Sequence, residues 1–432
     1  MLQQIYNANL KPLATSLLVF IFLLGIQNKG IASNLVVNDT IGFIQYKGIV
    51  IDSKTKDPLV FAALSVNETN ISTISNTQGE FLLKVPKKYS NKRITISFLG
   101  YTSKVVDFSE LDSNKITIKL ETHIEELSEV KISMKDARSL ISEMLKRKGD
   151  NYIGDQTMMT AFYRETIKKR RTYVSLSEAV VEINKQPYTS NRPELLRLFK
   201  TRKSTDYSKL DTIALKLRGG PFNTLYMDVM KNTPSFFDDD MFNVYDFEFD
   251  KSTKIDNRVI YVVNFKQKRH VTEPLYFGKL FIEADTFALT SAQFELNLDN
   301  PYKASRNFIL KKPKKATVLP IEAVYQVDYR VKNGKWYYGY SRIQLGFKIN
   351  WEKRLFNSVY YTTMEMATTD WHKIKKEDII KYRDRLRSSI ILSDEAQGFS
   401  DPKFWGEYNV IEPEKPIESA IKKIQRQLKR KN

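Results

Sequence analysis

Asn333-Gly334 sits at the centre of AVYQVDYRVKNGKWYYGYSRI, residues 323–343, between two runs that alternate apolar and polar side chains. Asn-Gly is the preferred central pair of a type I′ turn, because its backbone twist matches that of the strands it joins. A two-residue loop here pairs Val331 with Trp336, Tyr329 with Tyr338 and Val327 with Tyr340. All six then share one face, which makes a sheet surface rich in aromatic rings.

The same period of two recurs along most of the chain. RITISF puts Ile94, Ile96 and Phe98 on one face and Thr95 and Ser97 on the other. KITIKL does the same with Ile116, Ile118 and Leu120. This alternation marks half-buried strands. Asn76-Thr77-Gln78-Gly79 reads as a turn in which Gly79 supplies positive φ. Asp57-Pro58 and Gly100 punctuate two further loops. Residues 44–122 thus read as about seven short strands at regular spacing, the pattern of a small β-sandwich.

Residues 135–372 read as a second, β-rich domain. It opens on a helix with Ala137, Leu140, Ile141, Met144 and Leu145 on one face, and Gly149 fits its stop. Long strand patterns follow, such as Val259, Tyr261, Val263 and Phe265 on alternate positions, interrupted by a mixed helical and loop insert near 191–240. The expected fold is mainly β: a seven-stranded sandwich, then a curved antiparallel sheet or half-barrel with a few helices.

These residues carry resemblances. GIVIDSKTKDPLVFAALSV, then Thr77, Gly79 and Phe81, then ISFLGY, resemble the carboxypeptidase regulatory-like domain, a transthyretin-like seven-stranded sandwich. The resemblance implies export in Gram-negative bacteria; it implies no peptidase activity, since in the enzymes this domain accompanies a separate catalytic one. YFGKLFIEADTFALTSAQFEL resembles exported half-barrel carriers of the lipoprotein-carrier type. The domain order and the ending DEAQGFSDPKFWGEYNVIEPE resemble a class of exported proteins with a regulatory-like domain and no assigned chemistry.

The N-terminus agrees with export. Leu13 to Ile26 is an apolar run of 14 residues, shorter than the ~20 of a spanning helix, and Gly30-Ile31-Ala32 suits a signal-peptide cut. Met1–Ala32 is therefore expected to be removed; retention as an anchor is the alternative. With 69 Lys and Arg against 50 Asp and Glu, the net charge of +19 favours an anionic partner. In an exported protein that partner is an envelope surface, a lipid, a glycan or an outer-membrane protein, not nucleic acid. No cysteine is present, which excludes disulfides, thiol chemistry and a lipidated Cys. Residues 373–432 form an extension ending in an amphipathic helix. Its stripe is Ile417, Ile421, Ile424 and Leu428, flanked by Lys422, Lys423, Arg426, Lys429 and Arg430. That stripe docks on the body or lies on an anionic membrane.

Catalytic candidates are few. His123 and Glu126 have the spacing of a metallocarboxypeptidase zinc pair, but a zinc site needs a third ligand. Only His270 and His372 remain, in no recognisable context, and the pair lies in the linker that leaves the sandwich. Asp238, Asp239, Asp240, Asp246, Glu248 and Asp250 concentrate acid without calcium-loop spacing. No P-loop, G-x-S-x-G or G-x-G-x-x-G occurs, and no cofactor is called for. The reading is a non-catalytic envelope protein that uses Tyr329, Trp336, Tyr338 and Tyr340 to bind an apolar or glycan ligand or an outer-membrane partner. Two alternatives stand beside it: a hydrolase of glycans or peptides using the acidic residues, and a scaffold whose aromatic residues only fill a core.

Overall fold

Seven strands build the sandwich: β1 (Phe43–Asp52), β2 (Ala63–Val66), β3 (Ser72–Ile74), β4 (Glu80–Pro86), β5 (Arg93–Ser97), β6 (Lys104–Asp107) and β7 (Ile116–Leu120). They form two sheets, β4-β1-β7 and β3-β2-β5-β6. This is a computed structural model, and it describes residues 42–111, 116–122, 135–205, 219–237, 240–255, 258–308, 314–352, 357–398, 404–414 and 417. The expected signal segment Met1–Ala32, the pair His123 and Glu126, and the tail residues Ile421, Ile424 and Leu428 lie outside the described residues. Ile94, Ile96, Ile116, Ile118 and Leu120 all enter the sandwich core, as their alternation requires. Gly79 sits at φ +73°, and its carbonyl accepts a 2.8 Å bond from the Val50 N–H. A Cβ there would fall 2.5 Å from the Val50 carbonyl oxygen, so both conformation and space demand glycine.

The second module is one curved sheet, open at both edges. Its strands are β8 (Thr157–Lys169), β9 (Thr172–Lys185), β10 (Leu195–Thr205), β11 (Tyr245–Ile255), β12 (Arg258–Gln267), β13 (Tyr276–Glu283), β14 (Leu289–Leu296), β15 (Ala316–Lys332), β16 (Lys335–Trp351), β17 (Ser358–Lys373) and β18 (Gln397–Gly398). The spatial order is β11 through β17, then β8-β9-β10-β18. Every pairing is antiparallel except the short contact of β18 with β10. The insert expected at 191–240 is corrected at its start: Leu195–Thr205 is strand, with Leu196 buried in the core.

Among the described residues seven short helices serve this module: α1 (Ala137–Lys146), α2 (Lys148–Asn151), α3 (Pro221–Tyr226), α4 (Thr233–Phe236), α5 (Met241–Val244), α6 (Pro301–Ala304) and α7 (Leu392–Glu395). The Asp136 carboxylate caps α1 by accepting the Ser139 N–H at 2.7 Å. Gly149 does not stop that helix; it lies within α2. Ala137, Leu140, Ile141 and Met144 of α1 join the main core, together with Leu225 and Met241 from the other helices. The helices thus cover one face of the sheet, the inner face. No helix among the described residues is long and apolar enough to cross a membrane.

The sandwich packs on the opposite, outer face, within the single unit Ile44–Asn432. Ser72 Oγ donates to the Thr368 carbonyl at 3.2 Å, and Phe61 meets the Tyr340 ring at 5.0 Å. The hairpin at Asn333-Gly334 is present, with φ of 51° and 73°. Val331 pairs with Trp336 and Tyr329 with Tyr338, as the alternation predicts. Beyond them the register shifts: Tyr340 pairs with Asp328 and not with Val327. Gly339 is the extra residue of a β-bulge, which turns Tyr340 to the other side of the sheet.

Candidate functional site

Tyr329, Trp336 and Tyr338 point to the inner face and are buried there, with 5%, 8% and 0% exposure. The two tyrosines are covered by the segment 219–244, described at 219–237 and 240–244, and their hydroxyls hold it. The Tyr329 hydroxyl donates to Asp228 Oδ1 at 2.9 Å and accepts the Met230 N–H at 3.0 Å. The Tyr338 hydroxyl lies 2.6 Å from Ser341 Oγ, which donates to the Thr224 carbonyl at 2.8 Å. Tyr340 does not belong with them. It lies among Phe162, Val180 and Trp405 on the outer face, so the four aromatic residues form no single surface.

Segment 219–244 is entered through Gly219 and Gly220, both at positive φ. Its helices span six, four and four residues, too short to persist without tertiary contacts. At its edge remains an apolar cavity of about 10 Å³, lined by Val229, Phe236, Phe237, Tyr245, Phe265 and Phe294 among others. That is room for about one water and far less than a small-molecule pocket.

Beside the cavity the same segment makes a sealed ion pair. Lys185 Nζ on β9 lies 2.7 Å from Asp228 Oδ2 and 2.8 Å from Glu194 Oε1. Burial alone would depress this ammonium, but Asp228 and Glu194 outweigh it and raise its pKa above the ordinary lysine value. Burial also pushes the Tyr188 and Tyr329 hydroxyls well up, with the Asp228 charge adding to it.

The outer face carries a second polar system. Arg342, Glu365, Arg164, Glu178 and Arg202 stand opposite one another on five adjacent strands, β16-β17-β8-β9-β10. The links measure 3.6, 3.4, 2.7 and 2.7 Å in that order. The chain at 404–414 covers this row. Arg164 Nη2 donates to the Ile411 carbonyl at 2.7 Å, and the Arg202 guanidinium lies over the Trp405 ring at 4.7 Å. The sandwich closes on the same stretch: Asn409 Oδ1 accepts the Lys84 N–H at 2.7 Å, and Asn409 Nδ2 donates to the Lys84 carbonyl at 3.0 Å. Alternating opposite charges across strands make a structural lock and supply no open position for a substrate.

The remaining sequence candidates do not converge. His270 is exposed in a turn, and His372 Nε2 sits 2.9 Å from Asp378 Oδ2 at the surface. Asp246, Glu248 and Asp250 alternate along β11; Glu248 and Asp250 pair with Lys266 and Lys279 at 3.8 and 2.7 Å. The hydrogen bond from Lys279 is the main reason the Asp250 carboxyl falls to about 2. Asp238 and Asp239 lie outside the described residues, and Asp240 is exposed. Among the described residues, no group of three or more acids or histidines is placed to hold a metal ion. Sequence reasoning missed Lys185, Asp228 and the five-residue row, because their partners meet only through the fold.

The sandwich topology and the Gly79 turn place the first module. Residues 46–132 match the CarboxypepD_reg-like domain. This regulatory-like domain accounts for all the described sandwich strands beyond the first residues of β1, and its match runs on into the linker. Beyond the regulatory-like domain, the likenesses are of fold and are low. A LolA-superfamily protein from Nitrosomonas europaea is 10% identical, covering 57% of this chain and 99% of that one, at a TM-score of 0.18. A DUF1329 family protein from Desulfovibrio piger is 9% identical, covering 58% and 99%, at 0.25. MucB is 13% identical, covering 52% and 92%, at 0.19. Scores this low carry no argument about what the chain does. No curated protein matches it.

Proposed function

We propose that this is a non-catalytic binding protein of the cell envelope, whose curved sheet receives an apolar chain on its inner face when segment 219–244 yields that face. One observation carries the reading. Tyr329 and Tyr338, which form the aromatic surface, hold a segment of three short helices at Asp228, Met230 and Thr224. Short helices are held by their contacts and not by their own stability, so a ligand that replaces those contacts displaces them. The aromatic-lined cavity at the segment's edge offers the starting point.

Export is part of the proposal. It is supported by the apolar run Leu13 to Ile26 and by the regulatory-like domain. An anionic envelope surface is the proposed partner of the exterior. Ile379 and Tyr382 are 60% and 86% exposed, in a stretch that also bears Lys375, Lys376, Lys381, Arg383, Arg385 and Arg387. Apolar side chains among basic ones suit contact with anionic headgroups.

The test is to purify the mature protein from its native envelope and extract it with organic solvent. A stoichiometric lipid in the extract, and saturable binding of pyrene-labelled hexadecanoic acid after its removal, are expected. A scaffold without small ligand is the second reading, favoured by the smallness of the cavity, about 10 Å³. An empty extract together with no probe binding would select it.

A further inference from the structure

We propose that the Asp228 carboxylate stands in for the acid head of an amphiphilic ligand, and that Lys185, Tyr329 and Tyr188 form the headgroup site of a long-chain carboxylate. This rests on the reading that segment 219–244 yields the inner face to an apolar chain.

The geometry around Asp228 is that of a bound carboxylate. Oδ2 lies 2.7 Å from the Lys185 ammonium, and Oδ1 accepts the Tyr329 hydroxyl at 2.9 Å. Asp228 is fully buried, at 0% exposure. The buried Tyr188 hydroxyl also lies beside Asp228, close enough to feel its charge. Lys185, Tyr188 and Tyr329 belong to the sheet and its adjoining loop, whereas Asp228 belongs to the displaceable segment. When the segment leaves, a buried ammonium and two buried hydroxyls lose their shared anion. An incoming carboxylate restores those contacts, and an uncharged head does not.

The neighbouring charges favour the same ligand. Lys185, Lys148 and Lys231 face Asp228 and Glu194, three cations against two anions. The segment takes away Asp228 and Lys231 together. Two cations then face Glu194 alone, and one ligand carboxylate balances the excess.

The site also has a track for a tail. Tyr329, Val327 and Tyr325 follow one another on the inner face of β15, and Tyr325 stacks on the cavity-lining Phe294 at 5.3 Å. Tyr329 lies four residue steps along the strand from Tyr325, about 13 Å at ~3.3 Å per step. The charged end and the aromatic end of the site are thus joined by an apolar run.

The test compares hexadecanoate with hexadecanol by calorimetric titration, below their micelle concentrations. Wild type should bind the acid at least tenfold more tightly than the alcohol. Asp228→Asn keeps the shape and an acceptor for Tyr329 but leaves Lys185 paired with Glu194 alone, so it should widen that ratio. The double variant Lys185→Gln with Asp228→Asn removes both charges of that pair and leaves Glu194 with Lys231 at 3.9 Å; with its fold checked by circular dichroism, it should bring the ratio close to one. Equal affinities in wild type, or a ratio unmoved by both variants, would overturn the headgroup assignment while leaving chain binding intact. Binding of neither amphiphile would remove the carrier reading itself, and this inference with it.

Discussion

Arg164 on β8 and Glu178 on β9 face each other directly across the sheet, 2.7 Å apart, with 2% and 0% of their side chains exposed. Each is shared. Arg164 also reaches Glu365 and the Ile411 carbonyl, and Glu178 also binds Arg202. Removing one member of a buried pair leaves a desolvated charge, so Arg164→Met should cost ~3–5 kcal/mol of unfolding free energy. Urea titration reads this. A loss near the ~0–1 kcal/mol of a surface pair would mean that the row is open to water.

The inner and outer aromatic residues should separate by phenotype. Trp336→Ala or Tyr338→Ala removes a core side chain and should cost ~3–5 kcal/mol each. Tyr340→Ala should instead loosen the sandwich, because Tyr340 meets Phe61 of that module. Hydrogen exchange can tell them apart. Faster exchange confined to the sandwich contact at β3 and Phe61 is expected for Tyr340→Ala alone. The same exchange pattern in all three variants would count against the bulge at Gly339.

How far the chain could be read follows from which contacts are local. The hairpin turn at Asn333-Gly334 and the sandwich strands were legible because period and turn chemistry are written in neighbouring residues. The face of Tyr340 was not, since one bulged residue reverses every side chain after it. Lys185 and Asp228 stand 43 positions apart by number (228 − 185), and each alone looks like a surface charge. The row from Arg342 to Arg202 depends on four registers at once, including the return of β8 to β17. Nothing local encodes that closure.

Glu165 gives a dependence on pH. Burial is the main reason its carboxyl is raised from the ordinary 4.5 to about 7; the Tyr163 hydroxyl, bonded at 2.9 Å, acts the other way. The folded chain therefore holds a proton that the unfolded chain loses. This contribution to stability is fully present below about 4.5 and is lost as pH rises through about 7. Melting temperatures of Glu165→Gln relative to wild type should rise across that window and level off above it. A difference that stays constant from pH 4.5 to 7.5 would contradict the raised value.

Envelope attachment is testable at Ile379 and Tyr382. Replacing both with Ser should reduce co-sedimentation with phosphatidylglycerol vesicles without lowering the melting temperature, because both are exposed. Retention equal to wild type would assign the attraction to net charge alone.

The displacement of segment 219–244 is tested most directly by preventing it. The chain has no cysteine, so Thr224→Cys with Ser341→Cys supplies the only thiols. Ser341 Oγ lies 2.8 Å from the Thr224 carbonyl, which places the pair within reach of a short thiol crosslinker. Binding of pyrene-labelled hexadecanoic acid should be present in the untreated variant and fall at least tenfold once the segment is crosslinked to β16. Undiminished binding by the fully crosslinked protein would place the ligand elsewhere and contradict the account.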